Sequence, residues 1–295
     1  MPETLKVLVT GTSGVLGSDV AFYLKSKEIY EVIELKGRSQ LNLLDSQKVV
    51  DFVGSFKPDV IIHCAGTHDI DWAEEHPIDA FLNIVLGTRN VVNAAAKFGA
   101  VLVYPGSDYI FDGFKNEPYM EHDTANPINV YGKCKLAAEN IIKELLPQHF
   151  IFRLPILFGA RGDPSRNIIH QTHEKLQKGQ KIYAAYDQVS SCAYTYDVAM
   201  AFEQAMRTCY FGTYNFSNKG SCSRYELYRE IALLLGLPQD LVEGVPSAEL
   251  KRAARRPRYT VLNTVNFEQT FGAKPRSWKE ALSDCIRTFR EGSAK

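Results

Sequence analysis

The chain has 295 residues, 45% hydrophobic and 23% charged, which suits one large α/β domain or two closely joined ones. Its 34 Lys and Arg balance 34 Asp and Glu, and that neutrality excludes the basic footprint of a nucleic-acid binder. No apolar run approaches the roughly 18 residues that span a bilayer, and the opening MPETLKVLVTG lacks the charged-then-apolar pattern of a secretory leader. The expectation is a cytoplasmic protein.

The first half alternates short apolar runs with longer helical patterns. KVLVT (6–10) reads as a buried strand and VLGSDVAFYLKS (15–26) as an amphipathic helix. YEVIEL (30–35) is a second strand, SQKVVDFVGSF a helix, and PDVIIHCA (58–65) a third strand. One long helix over roughly 75–98, the strand AVLVYPGS (100–107), a helix over 127–146 and the strand FIFRLPIL (150–157) complete the series. Near-continuous apolar strands alternating with helices predict a parallel sheet covered on both faces, doubly wound by right-handed crossovers in the Rossmann manner. After residue 160 the rhythm loosens, with helical patterns near 164–178, 195–207, 223–235 and 277–290 and a short strand TYNFS (213–217). The predicted organisation is a dinucleotide-binding domain over 1–160 and a smaller mixed α/β substrate-binding part over 161–295. Segments near 187–217 are candidates to return to the large sheet.

Six cysteines (64, 134, 192, 209, 222 and 285) fall without CxxC pairs, which favours free thiols over disulfides or a zinc site. His170 and His173 lie three apart without the zincin glutamate between them. They read as a solvent-facing helix pair, and no metal is expected. The basic run KRAARRPR (251–258) fits a phosphate patch and a solvated helix end equally well.

TGTSGVLGSDV puts Gly11, Gly14 and Gly17 between the first strand and the first helix. Glycine there allows a tight turn, close approach of backbone to a pyrophosphate, and close packing of helix on strand. The helix N-terminus adds unpaired N–H groups and a positive dipole end. Gly11, Ser13, Gly14, Val15, Leu16 and Gly17 are therefore the candidate cofactor cradle. Where an acid would hold the ribose 2′-hydroxyl of NAD, the second strand ends ELKGRS, placing Lys36, Arg38 and Ser39. Those groups suit a 2′-phosphate, so NADPH is favoured; Glu34 keeps NADH open if it points outward.

NVYGKCKLAAEN places Tyr131 and Lys135 four apart on one helical face, a spacing repeated at Tyr23 and Lys27. Ser107, at the C-terminal end of the fourth strand, distinguishes the first pair, because ligands sit at that edge of an open parallel sheet. A ketone reduction needs a hydride on carbon and a proton on the developing alkoxide. Tyrosine has a pKa of about 10, and an adjacent ammonium is expected to lower it. Ser107, Tyr131 and Lys135 thus form a candidate catalytic trio, with Tyr23 as a wall residue.

GSDYIFDG, EPYMEHDTANPINVYGKCKLAAEN, DIDWAEEHP and RRPRYTVLNT resemble the nucleotide-sugar 4-ketoreductases typified by dTDP-4-dehydrorhamnose reductase, within the extended short-chain dehydrogenase/reductases. The resemblance runs nearly end to end. It implies NAD(P)H-dependent reduction at C4 of a nucleoside-diphosphate 4-keto-6-deoxysugar, with Ser107, Tyr131 and Lys135 in the catalytic positions. It also implies Cys64, Ala65, Gly66 and Asn83 beside the cofactor. Thr67, Asp69, Asp71, Asp108, Tyr109, Ile156 and Arg256 are implied around the sugar, Glu74 belongs to the same acidic loop, and a homodimer stays open. The chain departs from the family pattern at RLPILFG, where Ile156 replaces an aromatic residue, at SSCAYTYDVA (190–199), and at Gly106, usually a serine. RLPILFG and GTYNFSNKGSCSRYEL are similar instead to the regulatory β subunit of methionine adenosyltransferase, an NADP-binding partner protein of the same fold. A sugar epimerase or 4,6-dehydratase is a third reading, disfavoured by the lack of a glutamate after Asp108.

Overall fold

The computed structural model describes residues 4–293. Its elements run β1 (Leu5–Thr10), α1 (Val15–Lys25), β2 (Tyr30–Leu35), α2 (Ser46–Phe56), β3 (Val60–His63), α3 (Ile70–Glu75), α4 (Pro77–Phe81), α5 (Gly87–Phe98), β4 (Val101–Ser107), α6 (Val130–Leu145), β5 (His149–Leu154) and β6 (Ile156–Phe158). They continue α7 (Ile168–Gln177), β7 (Ile182–Ala185), β8 (Val189–Ser190), β9 (Cys192–Tyr194), α8 (Thr195–Met206), β10 (Gly212–Asn215), β11 (Cys222–Ser223), α9 (Arg224–Leu235), β12 (Val242–Val245), β13 (Tyr259–Thr260), α10 (Val265–Phe271) and α11 (Trp278–Ser293).

Six parallel strands form the main sheet in the order β10-β5-β4-β3-β1-β2. Alternate residues of its central strands feed two separate cores, which is the consequence of burying both faces. Val7, Val9, Val103, Phe150 and Phe152 pack under α1 and α8, while Leu8, Ile61, Leu102 and Ile151 pack under α2, α5 and α6. A third core joins α7, α9 and α11 through Ile169, Leu227, Ile231, Leu282 and Phe289. Among the described residues no helix is long and apolar enough to cross a membrane.

Four expectations are corrected. The single helix over 75–98 is broken: α3 already starts at Ile70 with Asp69 as its cap, Pro77 opens α4, and a π-turn over Leu82–Leu86 precedes α5. Proline lacks the N–H that would continue α3 and is well placed in a first helical turn. The strand over 150–157 divides at Pro155 for the same reason. Its second piece, β6, leaves the sheet to pair with β9. The basic run over 251–258 is neither helix nor helix end but a loop. His170 and His173 are half-buried rather than solvent-facing, their rings meeting Phe289 edge-on at 4.7 and 5.2 Å between centroids.

The second half of the chain does not stand apart from the first. Strand β10 pairs with β5 at the edge of the main sheet, and α8 packs on α1. Beneath that helix pair the buried Asp19 accepts hydrogen bonds from Arg161 (2.8 Å) and Thr195.

Candidate active site

Two cavities meet at the C-terminal edge of the sheet, where the chain reverses its direction of winding between β1 and β3. One, of about 350 Å³, is walled by the glycine loop, residues 63–68, residues 105–109, Tyr131, Lys135, residues 154–157, and Arg224 and Tyr228 from α9. The other, of about 420 Å³, runs from the glycine loop over the end of β2 to Asn83 and Gly87. A third pocket of about 230 Å³ continues outward from the first past Tyr109 and Ile156, and Arg224, Arg252 and Arg256 line it.

The glycine loop fits a dinucleotide. A Cβ on Gly17 would lie 2.3 Å from the carbonyl oxygen of Gly11, so only glycine lets α1 pack this close to the turn. Gly14 opens α1 and no side chain caps the helix, leaving first-turn N–H groups for an anion. Ser13, Val15 and Leu16 line the two cavities with the glycines, and so do Cys64, Ala65 and Gly66 from the end of β3. At the far end, Lys36 and Arg38 line the second cavity, and Arg38 donates to Asn83 Oδ1 at 2.5 Å. Ser39, in the exposed turn that follows, is not part of that wall. Glu34 stays within β2, and Lys25 of α1 engages its carboxylate and holds its pKa down. Two cations in a wall that includes no acid match a cofactor bearing a 2′-phosphate.

The trio converges because α6 starts unusually close to the turn after β4. A Cβ on Gly132 would lie 2.1 Å from the Tyr109 carbonyl oxygen. Asn129 caps the helix by accepting from Gly132 N at 2.8 Å. This contact brings Tyr131, in the first turn of α6, toward Ser107 at the end of β4, close enough for the serine hydroxyl to act on the phenol. Lys135, one turn on, donates to the Pro105 carbonyl (2.6 Å) and to the Tyr104 hydroxyl (3.1 Å).

The electrostatics differ from expectation at the phenol. Burial pushes the Tyr131 pKa up rather than down, against the opposing hydrogen bond from Ser107, and Asp108 and Tyr109 push the same way as burial. Lys135 is not among the groups that act on the phenol, and its ammonium donates to Pro105 and Tyr104. The ammonium is itself depressed to about 8 by burial, with Glu139 opposing. At the twin pair, Tyr23 is buried between α1 and α8 with its hydroxyl toward Glu203, and Lys27 sits over its ring at 5.1 Å. It is a wall residue.

The implied sugar-site residues separate into two groups. Thr67, Asp108, Tyr109 and Ile156 line the central cavity. Asp69 instead caps α3 through Trp72 N (3.0 Å), and Glu74 accepts from Val130 N (2.9 Å) at the start of α6. Asp71 holds Arg256 in a bidentate pair (2.8 and 3.1 Å) and accepts from Ala254 N. These acids fasten the rim, including the 251–258 loop, rather than line the cavity.

Asp108 was expected in the cavity, but its hydrogen-bond partners were not. Buried Asp108 accepts from Ser190 (3.0 Å) and Thr260 (2.6 Å) on one oxygen and from Ser107 (3.4 Å) on the other. Burial raises its pKa to about 6. Arg224, Tyr228, Arg252, His68 and Arg166 also line the cavities. Arg252 belongs to the basic run already singled out, and of the other four only Arg224 has a mark in the sequence, the Ser223 and Glu226 capping box that fixes the start of α9.

The family described as RmlD substrate binding domain matches residues 5–291. The dTDP-4-dehydrorhamnose reductase of Aggregatibacter actinomycetemcomitans is 31% identical, over 97% of this chain and 99% of its own length. Methionine adenosyltransferase 2 subunit beta of Bos taurus is 32% identical, over 92% of this chain and 84% of its own. The crystal structure of dTDP-4-dehydrorhamnose reductase from Bacillus anthracis in complex with NADP superposes with a TM-score of 0.91 at 31% identity, covering 96% of this chain and 99% of that one. A match that runs from β1 into the last helix takes in the glycine loop, the trio and the arginine-lined pocket alike, and the chain belongs to the RmlD substrate-binding-domain family.

Proposed function

We propose that this protein is an NADPH-dependent reductase of the C4 ketone of a nucleoside-diphosphate 4-keto-6-deoxysugar, serving deoxysugar and surface-polysaccharide synthesis. The observation that carries this reading is the meeting of Ser107, Tyr131 and Lys135 in a cavity continuous with the glycine loop on one side and an arginine-lined pocket on the other. The cofactor supplies the hydride. Gly11, Gly14 and Gly17 admit its pyrophosphate to the backbone of the loop, and Lys36 and Arg38 take its 2′-phosphate. Ser107 holds the ketone oxygen and Tyr131 gives that oxygen its proton as the hydride reaches C4, leaving an alcohol and a phenolate. Lys135 holds the nicotinamide ribose. The outer pocket takes the substrate's diphosphate: burial and the neighbouring Arg256 and Arg224 lower the Arg252 pKa against Tyr109 and Asp71, and an anion there would relieve the repulsion among the three arginines. A nucleotide-sugar substrate and NADPH suit a cytoplasmic protein.

The test follows NADPH oxidation with a panel of 4-keto nucleotide sugars. Turnover of one member is expected, with Tyr131→Phe lowering kcat about 10²–10⁴-fold. The relatives named as methionine adenosyltransferase subunits define the opposing result: no turnover of any ketone, together with recovery of a methionine adenosyltransferase on the immobilised chain, overturns the enzyme reading.

A further inference from the structure

The loop between β6 and α7 belongs to neither cavity by sequence pattern, yet it is built directly onto the glycine loop. Asp163 N donates to the Ser13 carbonyl at 2.9 Å. Gly162 has a φ of +89°, and a Cβ there would lie 2.8 Å from Gly14 C and Val15 N, so the two loops touch backbone to backbone. Fully buried Asn167 braces the far end: its amide donates to the carbonyls of Gly159 (2.9 Å) and Arg161 (3.1 Å), and its oxygen accepts from Ile169 N. Arg161 fastens the near end to Asp19. These ties hold the backbone firmly. Arg166 is the exception, 57% exposed at the side chain and only loosely paired with Asp163 at 3.6 Å.

Arg166 lines both cavities, and it shares their walls with Gly14, Thr67 and His68. Its positive field reaches far enough in to lower the His68 pKa, behind the larger effect of burial. A dinucleotide with its nicotinamide near Tyr131 and its 2′-phosphate near Arg38 has to pass its pyrophosphate through this junction. The N–H groups of the glycine loop face that anion from one side, and a guanidinium with a weakly held partner faces it from the other. We infer that Arg166 closes over the cofactor pyrophosphate as the second jaw of a clamp whose first jaw is the glycine loop. It is a cofactor-binding residue supplied by the second half of the chain. The inference rests on the cofactor part of the proposed function and not on the identity of the sugar.

The experiment is calorimetric titration of the full chain and of Arg166→Gln and Arg166→Lys with NADP, with 2′-AMP, which lacks the pyrophosphate, and with dTDP. Arg166→Gln is expected to weaken NADP about tenfold or more, with Arg166→Lys recovering part of the loss. Affinity for 2′-AMP and dTDP should be unchanged. Equal NADP affinity in the variant overturns the clamp, as does a loss confined to dTDP, which would assign Arg166 to the substrate. Equal losses for NADP and 2′-AMP would also overturn it, because the effect would then be general. A wild-type chain that binds no NADP removes the cofactor reading itself. Circular dichroism and melting of each variant separate these outcomes from misfolding.

Discussion

Tyr131 and Tyr23 carry the same lysine four residues on and differ in everything around them. Spacing made them indistinguishable; the strand end at Ser107 and the close approach at Gly132 put one in the wall of the central cavity and leave the other in a helix interface. Asp108 is the residue at which pH acts most directly on the site. Its folded pKa lies near 6, raised by burial and only partly offset by Thr260, Ser190, Ser107 and the field of Arg224. A raised carboxyl pKa means that the fold favours the neutral form. Its contribution to stability is therefore full below about pH 4 and is lost as pH rises through about 6. Asp108→Asn removes that dependence. From pH 4 to pH 7.5 the variant should gain on the wild type by up to about 3 kcal/mol in urea unfolding. Parallel stability profiles would refute this. Asp108 was legible as a cavity residue. Its partners were not, because Ser190 and Thr260 lie 82 and 152 positions away and two ordinary hydroxyl residues carry no pattern.

At the scale of elements, the strands were readable because burial on both faces leaves a nearly unbroken apolar run, and the glycine loop was readable because close packing leaves no alternative to glycine. Helix ends were harder. The segment 75–98 has continuous helical periodicity, but Pro77 and the π-turn at Leu82–Leu86 divide it. That turn precedes α5 and carries Asn83, which reaches the wall of the cofactor cavity and bonds Arg38. The glycine contrast is testable. Gly17→Ala would put its Cβ 2.3 Å from Gly11 O and 2.8 Å from Gly11 C, backbone atoms that cannot swing aside. A loss of about 1–3 kcal/mol in stability is expected, with weaker NADPH binding. Gly37→Ala meets nothing within 4 Å and serves as the matched control. Its change should stay within about 0.5 kcal/mol in thermal or urea unfolding. Equal behaviour of the two variants would show that the packing at Gly17 is not the constraint.

At the scale of the whole molecule, the site is assembled across the chain. Arg256 reaches the outer pocket only because Asp71, 185 positions earlier, holds it with both carboxylate oxygens. Asp71→Asn should therefore raise KM for the nucleotide sugar severalfold while leaving KM for NADPH unchanged, as steady-state kinetics would show. An equal rise in both would place the effect elsewhere. The twofold winding of the first half was legible from alternation alone, and the return of a segment within 187–217 to the sheet was an open candidate whose exact strand and face were not legible. A four-residue strand, β10, and a helix of mixed pattern, α8, carry no mark of which face they will cover.

That late closure has a consequence for how the protein is made. A nascent chain that has reached residue 160 presents Phe150 and Phe152 on a sheet face whose covering helix begins at Thr195 and whose neighbouring strand begins at Gly212. Synthesis at roughly 5–20 residues per second leaves that face open for several seconds. The aromatic wall under α8 is thus a natural place for a chaperone to hold the growing polypeptide until its own later segments arrive to displace it.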